Sequence, residues 1–67
     1  MLKMVDVVGV SPAGFSEAVK DGLDKVLASG EKAHFFQVLE QRGAVRDGAL
    51  KEFQVVIRVA TEFPEKS

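Results

Sequence analysis

Asp47-Gly48 restricts this chain more than any other pair of residues, because it separates two long extended runs, Ala33–Arg46 and Ala49–Glu62. Asp-Gly suits a type I′ turn, whose central residues both take positive φ and whose twist folds the flanking strands straight back on each other. The expectation is a hairpin of two fourteen-residue strands. In the second strand Phe53, Val55, Ile57 and Val59 share one face, and Gln54, Val56, Arg58 and Ala60 share the other. With a two-residue turn and no bulge, Phe36 opposes Val59 and Val38 opposes Ile57 on the apolar face. On the opposite face Phe35 opposes Ala60, Gln37 opposes Arg58, Leu39 opposes Val56 and Gln41 opposes Gln54. The same count carries Glu40, Arg42 and Arg46 onto the apolar face, which is costly for charged groups. Either a bulge near Gly43 resets the alternation or the strands outrun what packs on them. Length favours overrun: fourteen strand residues reach roughly 46 Å, against about 24 Å for a sixteen-residue helix.

That helix precedes the hairpin. Phe15, Val19, Gly22, Leu23, Val26 and Leu27 recur at three- and four-residue spacing, with Glu17, Lys20, Asp21, Asp24 and Lys25 on the opposite face. Gly30 stands where a left-handed cap belongs. The helix start has two acceptable forms, Ser11 capping with Pro12 in the first turn, or Gly14 with Glu17 three residues on. Upstream, Leu2 to Val10 is β-branched and aliphatic and closes on Gly9-Val10-Ser11-Pro12, a strand and a turn. The order β-α-β-β predicts an α+β fold. Its first two strands run parallel with the third between them, giving a three-stranded antiparallel sheet of order 1-3-2 on one amphipathic helix. Residues 1–67 read as a single domain with a short polar tail, Pro64 to Ser67.

One helix covers one sheet face. The other carries Phe35, Leu39 and Val56 among Gln37, Gln41, Gln54 and Arg58, and is left to water or to another chain. With 67 residues and no cysteine, a lone core contributes only about 3–5 kcal/mol, and domains this small usually need a staple. Disulfides and thiolate metal sites are excluded, and a single histidine, His34, excludes a multi-histidine site within one chain. What remains is self-association of identical chains, or oxygen ligands shared between chains. A net charge of -1 lacks the cationic excess that nucleic-acid binding requires. No apolar run approaches the roughly 18 residues of a membrane span, and no signal-peptide core is present. A cytoplasmic location is expected, with no nucleic-acid or membrane partner. Neither a phosphate-binding glycine loop nor a catalytic constellation is evident, so an enzyme is not expected.

The local wording resembles the dodecins, small flavin-binding proteins that assemble as hollow homododecamers. The resemblance runs from about Met4 to Phe63. It is carried by Val7-Val8-Gly9-Val10-Ser11-Pro12, Glu17-Ala18-Val19, Gln41-Arg42-Gly43, Asp47-Gly48, Phe53-Gln54-Val55 and Arg58-Val59, in that order and spacing. It implies flavin pockets at symmetry axes between subunits, in which a Trp early in the second strand stacks on the ring system and a Gln in the third bonds its pyrimidine edge. Those positions fall on Phe35 and Gln54. Arg42 matches an Arg of bacterial members, for a flavin phosphate or a subunit contact, and a further basic position is Glu62 here. The implied cofactor is riboflavin or FMN, with FAD as an alternative and a divalent cation compatible. The implied function is flavin storage or sequestration. The alternative is a shell that has lost flavin and serves as a cation-stabilised structural or carrier particle. His34 is expected to be a solvated side chain, and Glu17, Asp21 and Asp24 a solvated helix face.

Overall fold

A computed structural model describes residues 2–62. The chain runs β1 (Lys3–Ser11), α1 (Phe15–Ala28), β2 (Lys32–Arg46), β3 (Ala49–Glu62). The strands form one antiparallel sheet in the order β1-β3-β2, as the sequence predicts. The tail Pro64 to Ser67 lies outside the described residues. Asp47 and Gly48 take φ of 54° and 75°, the positive values that their turn requires. The helix begins after Gly14 and not at Pro12, because Ser11 is still paired with Phe53 as the last residue of β1. Gly30 has φ 89° just beyond the Ser29 cap.

Val55, Ile57 and Val59 of the central strand are fully buried against Ala18 and Val26 of α1, with Val7, Val19 and Leu23 around them. Phe15 closes one end edge-on to Phe53, ring centroids 4.9 Å apart and 73° between planes, a favoured aromatic geometry. At the other end buried Thr61 donates to Glu31 Oε1 at 2.6 Å. Gly9 of β1 lies so close to α1 that a Cβ there would stand 1.9 Å from the Ala18 carbonyl oxygen. This close approach lets two helix side chains reach the outer edge of β1. Asp21 Oδ2 accepts from the Val10 N–H at 2.9 Å, and Lys25 Nζ donates to the Val8 carbonyl at 2.9 Å. The Val10 N–H, then Lys25, hold the Asp21 carboxyl below the usual range.

The hairpin register departs from the uninterrupted count. Phe35–Ala60, Phe36–Val59, Gln37–Arg58 and Val38–Ile57 pair as expected. Leu39 is then an extra residue in β2, so Glu40 opposes Val56, Gln41 opposes Val55 and Arg42 opposes Gln54. The expected Leu39–Val56 and Gln41–Gln54 pairs do not form. Lys51 is the compensating extra residue in β3, and Val45–Leu50 and Arg46–Ala49 return to the turn's own register. The physical reason is the charge problem noted above. One inserted residue at Leu39 turns Glu40, Arg42 and Arg46 to the face away from α1, and in exchange places Gln41 and Gly43 opposite Val55 and Phe53. A reset near Gly43 therefore occurs, and the strands outrun the helix as well. The chain is 54 Å long, against about 21 Å for a fourteen-residue helix.

Candidate functional site

The face turned away from α1 is built of cross-strand rows. Met4, Ala60 and Phe35 make an apolar row across β1, β3 and β2. Asp6, Arg58 and Gln37 make the next, in which Arg58 grips Asp6 through Nε at 2.8 Å and Nη2 at 3.1 Å. The Arg58 guanidinium holds the Asp6 carboxyl below its ordinary range. Val8, Val56 and Glu40 follow, then Val10, Gln54 and Arg42. Each row inherits the strand alternation, and the bulge at Leu39 decides which β2 residues join the last two.

Phe35 presents 56% of its surface to solvent. Burying a ring of this size is worth about 1.5–3 kcal/mol, a gain that the single chain leaves unused. Its direction along β2 is set one residue earlier, where the register slips between Ala33 and Phe35 and leaves His34 as the extra residue. His34 Nε2 lies 3.0 Å from Glu62 Oε1, so it is engaged with β3. That contact keeps the Glu62 carboxyl below the usual range.

Gln54 is half-buried on the same face. Arg42 Nε donates to its Oε1 at 3.0 Å, and its Nε2 donates to Glu52 Oε2 at 2.8 Å. Arg42 also reaches Glu40, Nη1 to Oε1 3.6 Å. The structure thus brings Arg42 and Gln54 together, where the uninterrupted register gave Gln41. Phe35 stands apart: Ala60, its partner, is six residues along β3 from Gln54, or about 20 Å. One flat ring system cannot touch both from a single chain. Glu52 and Glu40 were not among the expected site residues, although the polar alternation Glu40-x-Arg42 beside Glu52-x-Gln54 was visible in the sequence. Among the described residues no group of three or more His, Asp or Glu side chains could hold a metal ion, and no helix is long and apolar enough to cross a membrane.

The sheet face thus carries an exposed aromatic row at one end and a charged amide cluster at the other. A family model described as Dodecin matches residues 1–63, and the chain belongs to the dodecin family. A curated dodecin of Thermus thermophilus is 32% identical over 63 residues, covering 94% of this chain and 91% of that protein. The dodecin from Streptomyces davaonensis superposes with a TM-score of 0.90 at 29% identity, over 97% of this chain and 96% of that one. A T. thermophilus dodecin variant with one tryptophan replaced by phenylalanine gives 0.87 at 32% identity, over 97% of both chains. As a class, dodecins are flavin-binding proteins built as oligomeric shells.

Proposed function

We propose that this protein is a cytoplasmic homododecamer that stores or sequesters flavin without catalysing a reaction on it, with Phe35 as the stacking surface and Gln54 as the partner of the pyrimidine edge. One observation carries the proposal. An exposed ring and a half-buried amide with unused hydrogen-bonding capacity share one sheet face at a separation that only a second chain can close. Stacking on an aromatic ring is worth about 1–3 kcal/mol, and Phe35 keeps the flat face that this requires. The Trp-to-Phe dodecin variant supports the reading, since that exchange leaves the fold close to that of this chain. Riboflavin is favoured over FMN and FAD. Glu62, in contact with His34 next to Phe35 in sequence, is an anion where a basic residue is expected, and Arg42 is turned to Gln54 and Glu40, so a phosphate gains little here. Stacked flavins would fill the pocket and leave no substrate site, which is the basis for a binding role and not a catalytic one.

Equilibrium dialysis of the sized, ligand-free particle against riboflavin, FMN and FAD tests this. Retention of riboflavin in fixed proportion to chains, tighter than FMN, is expected. Dialysis is preferred to fluorescence quenching because phenylalanine lacks the ready electron donation of indole. An intact large particle that retains none of the three overturns the proposal.

A further inference from the structure

We infer that Glu52 is a positioning residue of this site, acting through Gln54 to hold its amide in one orientation before a flavin's imide edge meets it; the inference rests on the flavin reading above. A glutamine amide can sit either way round, because its oxygen and nitrogen are nearly the same size. Here both ends are committed. Arg42 has only donors to offer, and an ionised carboxylate has only acceptors. Arg42 Nε therefore requires the Gln54 oxygen at 3.0 Å, and Glu52 Oε2 requires the Gln54 nitrogen at 2.8 Å. Turning the amide over would set donor against donor at Arg42 and acceptor against acceptor at Glu52. Hydrogen bonds to ionised groups are about twice as strong as neutral ones, so the orientation is held from two sides. Arg42 is steadied in turn by Glu40 at 3.6 Å. The extra residues at Leu39 and Lys51 are what put Arg42, and not Gln41, opposite Gln54.

An amide has two N–H donors and two oxygen lone pairs. With one of each engaged, Gln54 keeps one donor and one acceptor in a fixed order. That pair complements an imide edge, where an N–H is flanked by carbonyl oxygens, and the pyrimidine edge of the isoalloxazine is such an edge. Ordering the amide before the ligand arrives removes a cost otherwise met on binding. Glu52 contributes by holding the amide in place, without touching the flavin.

The test is dialysis of sized particles against riboflavin and N3-methylriboflavin, which lacks the imide N–H. It compares the unsubstituted protein with Glu52→Ala, Glu52→Gln, Gln54→Ala and the double variant Glu52→Ala/Gln54→Ala. The unsubstituted protein should prefer riboflavin by about tenfold, the worth of one directed hydrogen bond. Glu52→Ala, which leaves Arg42 alone to orient the amide, should narrow that preference to about threefold, whereas Glu52→Gln, which can still accept from Gln54, should keep it. In the Gln54→Ala background, Glu52→Ala should change nothing. An unchanged preference in Glu52→Ala, an equal effect of that substitution without Gln54, or failure of Glu52→Ala particles to assemble overturns the inference. Riboflavin retained with Glu52 irrelevant sinks this inference alone. No riboflavin retained by the unsubstituted particle sinks the flavin reading with it.

Discussion

Replacing Gly9 by alanine should unfold or nearly unfold the chain, although it adds a single methyl group. The new Cβ would stand 1.9 Å from the Ala18 carbonyl oxygen and 2.9 Å from the Gly22 nitrogen, both backbone atoms of α1. Ordinary contact begins at 3.4 Å, so the helix has to retreat by about 1.5 Å, the difference of the two distances. No flexible side chain can absorb that. Overpacking of a core costs about 1–3 kcal/mol in general, and a radial gap of 0.5–1 Å forfeits a quarter to a half of each dispersion contact. The retreat therefore also loosens Ala18 and Val26 from Val55, Ile57 and Val59, and stretches the bonds from Asp21 and Lys25 to β1. The sum is about 3–5 kcal/mol, as large as the stability a lone core of this size supplies. Urea denaturation followed by circular dichroism, with size-exclusion chromatography for assembly, measures it. A Gly9→Ala protein within about 1 kcal/mol of the parent would falsify the claim that the contact at Gly9 sets the helix–sheet distance.

Three further outcomes are expected. Phe35→Trp should tighten riboflavin binding by about 1 kcal/mol through the larger stacking surface, read by equilibrium dialysis; equal or weaker affinity would mean that Phe35 does not stack on the ring. Deleting Leu39, the extra residue, should remove the bulge while leaving Glu40 opposite Val56 and Arg42 opposite Gln54, so riboflavin retention should be kept; an assembled deletion variant that loses retention about tenfold would show that the bulge itself, and not only the pairing beyond it, shapes the site. Stability should fall on acidification. Asp21, Asp6 and Glu31 titrate below their ordinary values in the fold, held by the Val10 N–H, by Arg58 and by the Thr61 hydroxyl respectively. Their contribution is therefore complete above the unfolded values near 4 and is lost as pH drops through the lower folded ones. Urea midpoints that rise as pH falls below about 4 would contradict this.

The turn, the helix and the strand order were legible because each rests on local chemistry or on a long periodic pattern. Asp47-Gly48 names its turn, Phe15 to Leu27 repeats at helical spacing, and a 1-3-2 sheet is the short-connection solution for β-α-β-β. That the alternation could need a reset was legible in the charges of Glu40, Arg42 and Arg46, but its place at Leu39 and Lys51 was not. Neither residue has a conformational signature, and the energy that places them is the cost of facing Glu40 and Arg42 toward α1, a tertiary quantity. The same gap hid part of the candidate site. Gln54 and Arg42 could each be singled out, and Glu52 shares a face with Gln54 by simple alternation, but the pairing of Arg42 with Gln54 follows from a register that no local rule gives. The roughly 20 Å between Phe35 and Gln54 was implicit in the strand numbering. Its meaning emerged only once both were known to share a face.

The two borders of the sheet are not equivalent, and that difference governs how far copies of this chain can add to one another through backbone pairing. At β1 the outward N–H of Val10 and carbonyl of Val8 are already satisfied by Asp21 and Lys25, while β2 ends the sheet along its other side with a fifteen-residue strand. A sheet with two receptive borders propagates without limit, and that is how ribbons and fibrils grow. With two of its outward groups occupied, β1 is the less receptive border, so copies that add by strand pairing are directed to β2. Two charged residues on the helix thus bias this short, apolar, strand-rich chain toward finite particles and away from filaments.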